Sequence, residues 1–168
     1  ITGLPDGYYF VKDATVSMPE GATYSRYMLN IVKSLSITAK DTTVTLDKQI
    51  KHNETGKWGI VGDNQIGDTV EFRTITTVPN VTGYDTYTYE IYDTMSSELT
   101  SKVNSIDDIT IKVNDSTELP KSYYTVSANG NSFTVYVKIL EAVANHEISA
   151  GDSLYTYYSG VLNESAKM

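Results

Sequence analysis

The sequence predicts an all-β fold, an antiparallel sandwich carrying one short helix. Three observations point there. Runs with period-two alternation recur along the chain, the residues filling them are strand-forming Tyr, Thr, Val and Ile, and a single stretch alone has helical spacing. The aromatic content follows the same bias, with 14 Tyr against three Phe and one Trp. Strands so distributed, without βαβ alternation, give a sandwich of immunoglobulin-like type.

Taken in order, ITGLPDGYYFVK (residues 1 to 12) reads as a Pro-Asp-Gly turn feeding a strand, because Pro presets the first turn position and Gly supplies a positive φ. RYMLNIVK (26 to 33) alternates as a second strand, and SLSITA (34 to 39) continues it or starts a third. Residues 1 to 40 are too few for a core of their own, so they are expected to be the last strands of a preceding β domain. The polar segment Ala39 to Thr43 marks the boundary with the main domain, residues 41 to 168.

TVTLDKQIK (43 to 51) opens that domain as a strand, and the Gly-, Asn- and Asp-rich stretch from His52 to Asp68 is a loop with a short apolar insert. TVEFRTITTV (69 to 78) alternates strongly and is closed by Pro79 and Asn80. TYTYEIYDTM (86 to 95) is the next strand, with SSELTSK behind it suiting a helical turn. DITIKV (108 to 113), SYYTVS (122 to 127), NSFTVYVK (131 to 138, after a turn at Asn129 and Gly130) and SLYTYYSGVL (153 to 162) complete the set. Ile139, Leu140 and Val143 give residues 138 to 151 the spacing of a short surface helix ending near Gly151.

Composition excludes several functions. A formal net charge of −8 repels nucleic-acid phosphates and anionic membranes. No apolar run approaches the roughly 18 residues needed to span a bilayer, and nothing at the N-terminus reads as a signal peptide, so either the protein is soluble or its targeting and anchoring segments lie outside this sequence. With no Cys, disulfides, thiolate metal sites and cysteine nucleophiles are all ruled out. His52 and His146 lack a second ligand at metal spacing and read as solvated; GDNQIGD (62 to 68) lacks the full ligand spacing of a calcium loop. No cofactor is implied.

Three polar residues fall where alternation points inward. Leu46, Lys48 and Ile50 share a face of the 43 to 51 strand, which buries an amine that must then be paired, deprotonated or consumed. Inverting that register would turn Asp47 inward instead. Tyr87, Tyr89, Ile91 and Asp93 share a face, which turns the competing carboxyl Glu90 outward; Asp93 also suits the N-cap of a turn at SSEL. Tyr157, Ser159 and Val161 share a face that continues to Asn163. Asn163 also begins one of four glycosylation triplets, with Asn53, Asn80 and Asn114, a pattern common by chance in a Ser- and Thr-rich chain. Where Lys48, Asp93 and Asn163 meet, a neutral amine can attack the carboxamide carbon while a protonated Asp93 polarises the carbonyl and passes a proton to the leaving ammonia.

Residues 42 to 168 resemble the fimbrial isopeptide-formation, or CnaA-like, domain of sortase-assembled pilins and surface adhesins of Gram-positive bacteria. LDKQI around Lys48, GDTVEFRTITTVPN, YEIYDTMSSELT around Asp93, YTVSANGNSFTVYV and AGDSLYTYYSGVLNESA around Asn163 carry the resemblance. It implies Lys48 and Asn163 as the partners of an intramolecular isopeptide bond and Asp93 as the catalytic acid. It also implies an extracellular, cell-wall-anchored pilus whose other subunits are joined by sortase. Lys40 has the place of an intersubunit lysine but lacks the usual Tyr-Pro before it. A bond from Lys48 to Asn163, 115 residues on, contributes about 4 to 5 kcal/mol in the chain-entropy account of cross-links. The alternative is an adhesin module whose Tyr-rich strands or 52 to 68 loop bind a host protein or glycan. A turnover enzyme fits least, because the sequence offers no His-paired nucleophile, metal cluster or phosphate loop.

Overall fold

The computed structural model describes residues 7 to 12, 26 to 31 and 44 to 166. The chain divides into two compact units, Ile1–Val44 and Thr45–Met168. In the first, β1 (Gly7–Lys12) pairs antiparallel with β2 (Arg26–Ile31), Gly7 opposite Ile31 and Lys12 opposite Arg26. The expected turn at Pro5 and Asp6, the strand at 34 to 39, the boundary at Ala39 to Thr43 and Lys40 lie outside the described residues.

The second unit is an antiparallel sandwich. Its larger sheet contains β3 (Leu46–Lys51), β4 (Trp58–Gly59), β5 (Thr69–Thr77), β7 (Leu99–Ser101), β8 (Thr110–Val113), β9 (Thr117–Glu118) and β12 (Ser153–Leu162). The order is β4-β3-β5-β12-β8-β9, with β7 pairing the far end of β12. Its smaller sheet is β10 (Tyr124–Asn129), β11 (Ser132–Val137) and β6 (Glu90–Thr94) in that order. Val70, Phe72, Leu154 and Tyr158 from the larger sheet and Ile91, Phe133 and Val135 from the smaller fill the core between them. The sheets touch through Phe133 and Tyr158, whose rings meet edge-on at 4.8 Å. Burying such rings and aliphatic side chains is the main favourable term holding the layers together.

Alternation places most strands within a residue or two of where the sequence puts them, and four differences have physical causes. The strand expected over 86 to 95 is regular over Glu90–Thr94, with one further backbone bond at each end, from Val137 N to Tyr89 O and from Met95 N to Asn131 O. SSELTSK is not a helical turn: Leu99–Ser101 is extended and pairs with β12. The helix α1 covers Ile139–Ala144, burying Ile139 and Ala142, and the chain then turns through positive φ at His146. In β12 the core face is Leu154, Thr156, Tyr158 and Gly160, not the face of Tyr157 and Ser159. Both faces of β12 carry Tyr, so alternation alone does not distinguish inside from outside there. Tyr157 faces outward because Trp58 meets its ring edge-on at 5.6 Å and Lys112 lies 5.6 Å from its centroid.

Candidate functional site: an inward lysine and aspartate under an aromatic wall

Lys48 stands opposite Thr74 on β5, and Thr74 stands opposite Thr156 on β12. Both threonines are buried, so Lys48 occupies the core face of the sheet and Asp47, opposite Ile75, the other. Because β3 is near the sheet edge, the lysine is not sealed: its side chain is 39% exposed. Asp93, opposite the buried Phe133 on the smaller sheet, points across the sandwich, and Glu90 is exposed. Lys48 Nζ donates to both Asp93 oxygens, at 2.8 Å each. The carboxyl side chain is 14% exposed, which strengthens the pair relative to one in free water.

Aromatic rings frame the pair. Lys48 Nζ lies 5.2 Å from the centroid of Phe72 and 5.7 Å from that of Tyr158, within the range of cation–π attraction. Phe72 and Tyr158 stack at 5.6 Å. Burial pushes the Tyr158 phenol well up in titration, and the Asp93 charge beside it pushes it further. Sequence reasoning missed Tyr158 and Phe72 as members of this site. The signal was present in β5, where Phe72 shares the inward parity of Thr74, two residues along.

Asn163 is not brought to the pair. It follows the end of β12, where its Nδ2 donates to Ser97 O at 2.9 Å and Thr100 Oγ1 at 3.2 Å, and its Oδ1 accepts from Ser165 N. Thr156, level with Lys48 across the sheet, precedes it by seven residues, which is about 23 Å of strand. That separation is several times the reach of a lysine side chain. The outer edge of β3 is different. Among the described residues it pairs with β4 at Ile50 and Lys51, leaving Leu46 to Gln49 open beside Lys48, with Leu46 58% exposed.

The remaining candidates have local roles. Asp63 accepts from the backbone N–H groups of Asn53 and Glu54 and lies 2.9 Å from His52 Nδ1, while Asp68 accepts from Gln65 N at 2.8 Å; these carboxylates organise the 52 to 68 loop. On the outer face of the larger sheet, Trp58, Tyr157, Glu71, Asp108, Thr110 and Ser159 line a shallow groove of about 260 Å³.

The two-sheet antiparallel sandwich has the fold of Gram-positive pilus backbone subunits. It is similar to the pilus backbone RrgB of Streptococcus pneumoniae (TM-score 0.54, 19% identity, covering 74% of this chain and 47% of that one). It is similar to the full-length major pilin SpaD of Corynebacterium diphtheriae (TM-score 0.58, 19% identity, 91% of this chain and 37% of that one). A third is the C. diphtheriae major pilin SpaA, described as pointing to a modular pilus assembly with stabilizing isopeptide bonds (TM-score 0.53, 11% identity, 82% of this chain and 35% of that one). The chain spans less than half the length of each of these three pilins. No family model and no curated protein matches it.

Proposed function

We propose that this chain is a structural domain of an extracellular Gram-positive pilus, one that acts once on itself by joining Lys48 to a side-chain carboxamide with Asp93 as the acid. The single observation that carries the reading is the bidentate contact of Lys48 Nζ with Asp93 between Phe72 and Tyr158. The ammonium gives a proton to Asp93, leaving a neutral amine and a neutral acid beside the Phe72 and Tyr158 rings. The amine adds to the carboxamide carbon while Asp93 protonates its oxygen. A C–N bond forms, the original C–N bond breaks, ammonia departs and Asp93 finishes protonated. Both charges of the pair are consumed.

Asn163 is the acceptor the sequence names; from its place after β12, about seven strand positions from the level of Lys48, it reaches the pair only if that strand end rearranges, whereas a carboxamide entering along the open edge of β3 needs no such change. Other pilin subunits are the partners, joined by sortase. In a load-bearing chain the bond carries tension between the sheets without requiring an oxidant, which suits a sequence with no Cys.

The test is intact mass with peptide mapping on the full-length protein. A deficit of one ammonia is expected, with Lys48 joined to an Asn or Gln, and Lys48→Ala abolishes it. Asn163→Ala tells the acceptors apart: loss of the deficit assigns Asn163, and a retained deficit assigns a carboxamide at the β3 edge. A full sequence mass with a free Lys48 amine overturns the reading.

A second reading, a module binding a host protein or glycan, is favoured by one feature: Trp58, from the 52 to 68 loop, walls the outer-face groove beside Tyr157. Binding of a glycan panel or host extracellular proteins that Trp58→Ala leaves unchanged removes this reading.

A further inference from the structure

Tyr158 is among the most buried aromatic residues of the core, 4% exposed, and its ring is fixed on two sides by Phe72 and Phe133. Its hydroxyl is also buried and lies against the Asp93 carboxyl, which acts on it as a hydrogen-bond neighbour, without a well-formed hydrogen bond to any partner. A buried donor without a well-formed hydrogen bond costs about 1–3 kcal/mol, so its place requires an explanation. The Asp93 carboxyl lies beside it, with both oxygens engaged by Lys48 Nζ. A carboxylate has room for about four hydrogen bonds, so the phenol can reach an oxygen that the lysine releases.

We propose that Tyr158 is a positioning residue: when the Lys48 nitrogen turns from Asp93 towards the carboxamide, the Tyr158 phenol takes over as hydrogen-bond donor to one Asp93 oxygen. The other oxygen then carries the transferred proton and faces the acceptor carbonyl. Tyr158 keeps its own proton throughout and undergoes no covalent change. Burial suits it to this task, because a phenol that resists ionisation remains a donor across the whole working range. The role rests on the Lys48 and Asp93 centre proposed above, and goes beyond it by explaining why a tyrosine rather than a phenylalanine lines the site.

The test removes the lysine, so that Asp93 depends on the phenol, and reads the aspartate directly. Asp93 is titrated by carboxyl carbon NMR in Lys48→Met and in Lys48→Met combined with Tyr158→Phe. Loss of a donor to the carboxylate is expected to raise the Asp93 midpoint by about one pH unit in the double variant. Equal midpoints overturn the proposal and leave Tyr158 a packing residue. Phenylalanine retains both ring contacts, and Lys48→Gln supplies a second background should methionine at this half-exposed site impair folding. The readout is independent of amide formation: a shifted midpoint with a full intact mass removes the cross-link reading and keeps the contact, while equal midpoints with an ammonia deficit do the reverse.

Discussion

Lys48 Nζ sits 2.8 Å from each oxygen of Asp93 and thereby ties β3 of the larger sheet to β6 of the smaller. Removing the lysine alone leaves a largely buried carboxylate without its charged donor. Before any amide forms, Lys48→Ala is expected to lower stability by about 1–3 kcal/mol. Replacing both residues together, by Met at Lys48 and Leu at Asp93, is expected to recover much of that loss, because two apolar groups leave nothing unpaired. Urea unfolding of the two variants checks this; a double variant weaker than Lys48→Ala contradicts it.

Alkaline pH is expected to unfold the domain through its buried phenols. Burial holds Tyr89 at about 12 against an ordinary 10, opposed in part by its hydrogen bond to Thr76, and Tyr158 is raised as well. A raised folded value means the stabilisation is complete below pH 10 and is lost as pH climbs towards 12. For Tyr89 the two-unit difference amounts to about 2–3 kcal/mol. Unfolding midpoints from pH 8 to 12 are expected to fall for the parent and to fall less for Tyr89→Phe.

Arg73→Lys is expected to be costly. The Arg73 guanidinium lies 4.6 Å from the Trp58 centroid and 5.1 Å from that of Tyr155, and it bonds Gln49 at 2.9 Å and Asp115 at 3.1 Å. A point-like ammonium cannot reproduce stacking and forked donation together, so a loss of about 1 kcal/mol is expected in chemical denaturation. Trp58 fluorescence follows the same variant, because the indole loses its neighbour.

Gly160→Ala is expected to destabilise the end of β12. An added Cβ there falls 2.7 Å from Met95 Sδ and 3.1 Å from the backbone oxygen of Thr100. Met95 can swing aside, but the carbonyl belongs to the paired strand β7, so β7 must shift. About 1–3 kcal/mol is expected, with faster amide exchange over Leu99–Ser101. Unchanged exchange there counts against this account.

Much of the fold was legible because alternation is strong where a strand has one wet face. In β5, Val70, Phe72, Thr74 and Thr76 alternate with Glu71, Arg73 and Ile75, and the observed strand matches that pattern. The same rule failed in β12, where Tyr155 and Tyr157 cover an outer face that packs against Trp58, Arg73 and Lys112. It also failed at Leu99–Ser101, where pairing with Val161 and its neighbours overrides a sequence that suits a helical turn.

The sequence by itself determined the all-β class and the inward direction of Lys48 and Asp93, because side-chain direction in a strand has a period of two and needs only local information. Tertiary structure alone decided what those side chains meet. Facing is a matter of parity, but position along the strand is set by the hydrogen-bonded register between strands distant in the chain. Register sets Lys48 level with Thr74 and Thr156, and the sandwich brings Asp93 across to it under Phe72 and Tyr158. The same register carries Asn163 beyond the end of β12, where its carboxamide binds Ser97 and Thr100 instead.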